Sequence, residues 1–223
     1  MIRQARSEAT RRRIIEAAVD LFSERGYPGT GLGDIIERAE MTKGALYYHF
    51  DSKEALAAEI VAEGSTRLMR TFDAISESSS PALESIIHGT FLVVDQLSTD
   101  KVARVGIVLM RVFAGFSNSA GGTYSGWLSA MATDVARACE EGDVREGVDV
   151  MAIAETFVGA FVGGSLLSDA ASGGADLRER VTRLFGLVLP AIVTDESRDY
   201  FTEFLAREAR QRPAEDGRGS QLL

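Results

Sequence analysis

Residues 42–53 read Thr-Lys-Gly-Ala-Leu-Tyr-Tyr-His-Phe-Asp-Ser-Lys. Just ahead lies a short apolar helical pattern, Leu32, Ile35, Ile36 and Ala39, and Glu40-Met41-Thr42 make a turn between the two. Two short helices around a tight turn, ending in a basic and aromatic tip, read as a DNA-binding helix-turn-helix. A recognition helix enters the major groove end-on, so its first residues must be small or polar, and Thr42-Lys43-Gly44-Ala45 fit. Gly44 lets the backbone approach DNA, and the helix N-terminal amides together with Lys43 favour phosphate. Leu46 and Phe50 are expected to face inward, Phe50 wedging the helix against the first one. Tyr47 and Tyr48 offer rings to sugar or thymine methyl and hydroxyls to phosphate, and His49 and Lys53 reach for phosphates at the far edge. The competing reading is a buried aromatic turn, but one helix face cannot bury all five of residues 46–50. For His49 an ordinary surface or core role stays open.

Upstream, Ile15, Ala18, Val19 and Phe22 recur at helical spacing, with Ile14 and Leu21 widening the stripe. Ser7 or Thr10 is expected to open this helix and Gly26 to end it. Arg11-Arg12-Arg13 is either a solvated face or part of the DNA surface. Arg3 and Arg6 are candidates for an arm in the minor groove.

The net charge of −9 looks unsuited to DNA, but it is unevenly spread. Residues 1–53 carry nine Lys/Arg against eight Asp/Glu, whereas residues 54–223 carry 15 against 25. A local basic patch is what phosphate binding requires, because fields are screened beyond about 8 Å at physiological salt. The single cysteine, Cys139, excludes an internal disulfide or a cysteine zinc cluster. The N-terminal Met-Ile-Arg-Gln-Ala-Arg has charge with no apolar run behind it, which predicts no signal peptide. The most apolar segment, 157–167, is shorter than the roughly 20 residues of a membrane span, so no membrane and a cytoplasmic location are expected. His49 and His88 are the only histidines, and no phosphate loop, metal-ligand spacing or nucleophile elbow occurs. No catalytic residue, metal or cofactor is therefore assigned, and Glu140-Glu141 reads as a solvated pair.

Helical periodicity dominates, predicting an all-α fold. A long fourth helix capped by Asp51 or Ser52 should run to about residue 77, weakened by about 1 kcal/mol at Gly64. Further helices are expected near 82–98, 101–116, 124–141, 149–169, 177–193 and 196–211, with breaks at 118–122, 141–143 and 170–174. The expected domains are a helix-turn-helix at 1–50 and a helical ligand-binding and dimerisation domain at 51–212, with a disordered tail at 213–223.

Residues 8–56 resemble the TetR family of bacterial repressors. The likeness runs through Gly26-Tyr27, Leu32, Ile35, Thr42, Gly44, Leu46, Tyr47, His49-Phe50, Ser52-Lys53 and Leu56. Two positions depart: Gly31 stands where a Thr or Ser usually caps the second helix and touches phosphate, and Glu40 stands at a turn position usually Gly. Thr30 is the candidate to replace the missing hydroxyl. The resemblance implies a homodimer on palindromic double-stranded operator DNA, released by a small-molecule inducer. The opening Arg-Gln-x-Arg and residues Gly126-Trp127, Asp143-Val144, Val148-Asp149-Val150, Val158 and Val162-Gly163 are similar to the gamma-butyrolactone receptor branch, in which a tryptophan at the position of Trp127 lines the ligand cavity. Met110, Phe113, Phe157 and Phe161 are candidates to surround it, although helical spacing alone reads each of these as core. A lactone or furan with an alkyl tail suits such a pocket. An antibiotic or lipophilic drug under efflux control, or a pseudo-receptor without a hormone, are the alternatives. Gly159, Gly163 and Gly164 suit a dimer bundle of the last long helices or a tight crossing within the chain.

Overall fold

The computed structural model describes residues 2–76, 81–113 and 118–210, with side chains for 4–76, 81–113 and 122–210. Among these residues there are ten helices and one isolated antiparallel bridge, Val144 to Val193, so the all-α expectation holds. The chain divides into two compact units, one of residues 1–71 and 96–127, the other of residues 72–95 and 128–223. The first unit thus reaches well past residue 50 and takes in a helix from beyond residue 100. The 213–223 tail lies outside the described residues.

In the first unit, α1 (Ile2–Arg25) packs on α2 (Leu32–Arg38), α3 (Lys43–His49) and α6 (Lys101–Phe113). Ile14, Ala18, Leu21, Ile35, Leu46, Leu56 and Ile60 form its dry interior. The helix opens earlier than Ser7 or Thr10, because Gln4, Ala5, Arg6 and Glu8 are compatible with helix and nothing there stops one. Thr10 caps nothing; its hydroxyl donates back to the Arg6 carbonyl at 3.0 Å. Gly26, at φ 73, ends α1 in the left-handed conformation that costs glycine least. α4 (Lys53–Ser76) opens on Ser52, whose Oγ accepts the Ala55 N–H at 3.0 Å.

The second unit holds α8 (Val150–Ser172), α9 (Leu177–Ile192) and α10 (Arg198–Arg210), with α9 packed on both others. Its core joins Phe157 to Phe185 (ring centroids 5.3 Å apart) and Phe185 to Phe91 (6.3 Å). The Arg178 guanidinium lies over the Phe91 ring, donating to Asp95 at 2.6 Å and to the Glu208 carbonyl at 2.8 Å, while Glu208 also meets His88 Nδ1 at 2.8 Å. Two helices, α5 (Ala82–Thr99) and α7 (Asn118–Glu140), run from one unit into the other, as α4 does.

The break at 141–143 stands where expected, and two others need correction. The stretch 118–122 is the first turn of α7 rather than a break. α6 ends at Phe113, and residues 114–117 are outside the described set. α8 runs on to Ser172 and closes at Gly173, φ 64, instead of stopping near 169. The apolar run is longer than its most apolar stretch: α8 has 23 residues and a window of mean hydropathy 1.7, enough by length and composition to cross a membrane. Segment length therefore does not exclude a span. Only 28 % of that window is buried within the chain, leaving Met151, Leu166 and Leu167 exposed.

Glu40 is the one non-glycine residue with positive φ among those described, at 53°. Holding a side chain there costs about 1–3 kcal/mol. Arg13 offsets part of this: its Nη2 donates to the Ala39 carbonyl at 2.9 Å and lies 3.7 Å from the Glu40 carboxylate. Glu40→Gly should raise stability by about 0.5–1 kcal/mol, after allowing for glycine's larger entropy when unfolded. A urea midpoint that falls in that variant would show the turn is unstrained.

Candidate nucleic-acid interface

α3 has seven residues and its inward side is committed to the core. Leu46 is fully buried and Phe50, its C-cap, nearly so. Arg11 stands over the Phe50 ring at 5.6 Å and pairs with Glu59, which fixes the end of α3 against α1 and α4. Thr42 is the N-cap, its Oγ1 accepting the Ala45 N–H at 3.2 Å. With Leu46 and Phe50 turned in, Lys43, Gly44, Tyr47 and Tyr48 fall on the outer face. All four are exposed, Tyr48 at 77 % and Tyr47 at 42 %. Lys43 Nζ lies 5.7 Å from the Tyr47 ring centre, so cation and aromatic form one surface. Together these side chains offer a cation, two hydroxyls and two aromatic faces on one exposed surface at a capped helix start. His49 is half-buried, edge-on to Tyr48 at 5.0 Å.

Two expected contacts lie elsewhere. Thr30 is 1 % exposed, and its hydroxyl donates to the Gly26 carbonyl at 2.9 Å and the Leu21 carbonyl at 3.3 Å. It therefore does not replace the hydroxyl missing at Gly31; it ties the loop back to α1. Lys53 donates to the Tyr27 carbonyl at 3.0 Å and the Thr30 carbonyl at 2.9 Å, with its ammonium 4.1 Å from the Tyr27 ring centre. That loop presents carbonyls no helix satisfies, and Lys53 answers them. Tyr27 in turn donates to Glu54 at 3.0 Å, and burial followed by that carboxylate pushes its phenol up to about 12. Arg6 lies exposed on α1, and the backbone at Arg3 is also helical, so the N-terminal segment is not an extended arm.

The sequence reading missed Arg13 as the residue that holds the turn. The signal was available in Glu40: a non-glycine at a left-handed position needs a compensating contact.

The five candidate ligand residues are divided. Met110, Phe113 and Trp127 belong to the first unit, Phe157 and Phe161 to the second. Phe113 stands edge-on to Tyr27 at 5.0 Å, which makes it an anchor for the helix-turn-helix loop. Phe157 is core against Phe185, Met110 is buried, and Phe161 is half-buried. Trp127 is half-buried, donates from Nε1 to Ser65 Oγ at 3.1 Å and meets Tyr124 edge-on at 5.9 Å. A groove of about 490 Å³ between α1 and α4 is charged, edged by Arg11, Arg12, Glu59, Glu63, Arg67 and Arg70, and takes in none of the five. Among the described residues no cluster of three or more His, Cys, Asp or Glu is placed to hold a metal.

Residues 14–60 match the model of bacterial regulatory proteins of the TetR family, and residues 79–194 match a tetracycline repressor-like C-terminal domain. The chain belongs to the TetR family. It is accordingly a DNA-binding transcriptional regulator and not an enzyme. It is 35 % identical over 194 residues to the A-factor receptor protein of Streptomyces griseus, covering 86 % of this chain and 67 % of that one. The repressor DhaR of a Mycobacterium species (strain GP1) is 24 % identical over 81 % of this chain and 93 % of its own. Among solved structures, a gamma-butyrolactone receptor (ArpA-like) superposes with TM-score 0.77 at 28 % identity, covering 93 % of this chain and all of that one. CprB of Streptomyces coelicolor, solved with its operator, gives 0.78 at 28 % identity and the same coverage.

In this TetR-family protein Lys53 is tied into the loop, whereas Tyr48 is exposed, so the two should differ in what they contribute to folding. Lys53→Met should cost about 1–2 kcal/mol of folding stability, since the Tyr27 and Thr30 carbonyls both lose the lysine as a donor. Tyr48→Ala should stay within about 0.5 kcal/mol of wild type. Thermal melts of the two variants check this; equal melting temperatures would remove Lys53 from its role in the loop.

Proposed function

We propose that the chain is a repressor that binds palindromic operator DNA as a homodimer, through α3 in the major groove, and is released by a small apolar signalling molecule of the butyrolactone or furan type. The observation that carries the DNA half is the exposed face of α3, where Thr42, Lys43, Gly44, Tyr47 and Tyr48 are presented by the burial of Leu46 and Phe50. The likeness to CprB, solved with its operator, supports the same use of the helix. The ligand class rests on the likeness to the A-factor receptor and the gamma-butyrolactone receptor, together with Trp127 at the position expected to line a pocket. Such a protein works in the cytoplasm, where its operator is.

A homodimer accounts for the apolar surface that α8 and α9 leave open. Leu166 and Leu167 are more than half exposed, and Leu187 is 79 % exposed. A partner's copy of the same surface would cover these residues by twofold symmetry. It would also space two α3 helices by about 34–36 Å, one turn of DNA.

Lys43→Ala and Tyr47→Ala should each abolish operator binding with the dimer and the fold intact. Each loses about 1–3 kcal/mol per half-site if it meets a base, twice over in the dimer. Normal gel shifts from both would remove α3 as the reader. Leu187→Glu should yield a monomer by sedimentation and weaken operator binding, because a lone half-site holds poorly. A variant that remains dimeric places the interface elsewhere.

A further inference from the structure

Arg11-Arg12-Arg13 reads from the sequence either as a solvated face or as DNA surface. In the fold, two of the three are engaged by the helix-turn-helix itself. Arg11 stands over the ring of Phe50, the C-cap of α3. Arg13 reaches the turn ahead of α3, where its Nη2 donates to the Ala39 carbonyl at 2.9 Å and lies 3.7 Å from the Glu40 carboxylate. The run thus holds the stretch 39–50 at both ends.

The two ends are not held equally. α3 packs on the core through Leu46 and Phe50, one in its second half and one just beyond it. Glu40, Thr42, Lys43 and Gly44 are exposed and Met41 is half-buried, so burial does not fix the leading end of the helix. The backbone of the turn is tied to α2, the Glu40 N–H to the Glu37 carbonyl at 3.0 Å and the Met41 N–H to the Ile36 carbonyl at 3.1 Å. Ala39 is the C-cap of α2, and its carbonyl is one that a helix end leaves without an intrahelical donor. Among the described residues, Arg13 is the one side chain from outside the stretch 39–42 that makes a hydrogen bond or ion pair to it. Glu40, at φ 53, makes this joint a strained one.

We propose that Arg13 is a positioning residue for operator binding: by bracing the Ala39–Glu40 joint from α1, it sets the direction in which Thr42 to Gly44 are presented to the major groove. The inference rests on the reading of α3 as the part that meets DNA, and it names the residue that aims that helix. Arg13 acts through residue 40 and touches neither base nor phosphate in this role. Its side chain is 53 % exposed, and exposed pairs contribute little to folding. Its loss therefore shows in affinity before it shows in melting temperature. The glutamate has a place in the same device: the residue under strain carries the charge that draws the brace to it.

The test uses full-length protein and a palindromic duplex selected by the wild type from a random pool. Well below its melting temperature, Arg13→Ala should bind that duplex about tenfold more weakly, because a competent fraction of about a third at each of two half-sites multiplies across the dimer. Glu40→Gly holds no side chain at positive φ and should bind within about twofold of wild type. The double variant should bind like Glu40→Gly alone, since glycine makes the joint without a brace. The slope of log affinity against log salt should match wild type in all three, no phosphate contact having been lost. Unchanged affinity in Arg13→Ala overturns the proposal. A double variant as weak as Arg13→Ala also overturns it, and a salt slope shallower by about two would then mark Arg13 as a phosphate ligand in each half-site. If the affinity of Arg13→Ala recovers once its unfolded fraction is counted, the contact serves folding alone and the proposal fails. Lys43→Ala that binds like wild type overturns the reading of α3 itself, a result separate from the Arg13–Glu40 cycle.

Discussion

Leu46 and Phe50 must be buried for α3 to exist at all. A seven-residue helix is too short to be stable alone and takes its stability from packing. Once those two side chains are fixed under α1, with Arg11 over Phe50 and Arg13 on the Ala39 carbonyl, the rotation of α3 about its axis is settled. Lys43, Gly44, Tyr47 and Tyr48 then face outward as a consequence of the core. The same constraint explains the strained turn. The chain has only Glu40, Met41 and Thr42 in which to leave α2 and cap α3, and it makes that reversal with Glu40 in the left-handed region.

A second consequence concerns charge. A net −9 is no obstacle to binding DNA through α3 as proposed, provided the basic groups on that face are displayed rather than consumed. Lys43 is displayed. Lys53, Arg11, Arg38 and Lys101 are consumed: Lys53 serves loop carbonyls, and the others pair with Glu59, Glu24 and Asp20. These cations build the frame that aims α3. Surface pairs of this kind contribute little stability singly, so their value lies in fixing how α1, α2, α4 and α6 meet.

The helix order and the inward or outward sense of α3 were legible because helical periodicity is a local signal. Residues 46 and 50 fall on one side and 43, 47 and 48 on another whatever the tertiary context. Lys53 and Thr30 were not legible. Their types suit DNA contact equally well, and only the folded loop shows that Gly26, Tyr27 and Thr30 present carbonyls needing donors. The start of α1 was missed because Gln4 to Arg6 carry no cap and no breaker, so the pattern has no edge there. The aromatic candidates had the same weakness. Phe113 and Phe157 sit on apolar stripes, and a stripe does not say whether the neighbour is Tyr27, Phe185 or a ligand.

The two departures from the TetR pattern are each met by a charged residue nearby. At Glu40 the compensation comes from Arg13. At Gly31 it comes from Asp34, whose carboxylate accepts the Gly31 N–H at 2.8 Å and lies 3.5 Å from Arg25. Gly31 keeps the extended backbone of an N-cap, φ −102 and ψ 161, so the start of α2 has the usual geometry without the usual hydroxyl. The cost falls on phosphate recognition rather than on folding. The N–H at position 31 is already bonded, the residue brings no donor of its own, and a carboxylate stands beside it where a phosphate would approach. The start of α2 is therefore a poor anion site in this chain. On the proposed reading a larger share of the DNA contact falls on α3, which has its N-cap Thr42, its lysine and two exposed tyrosines.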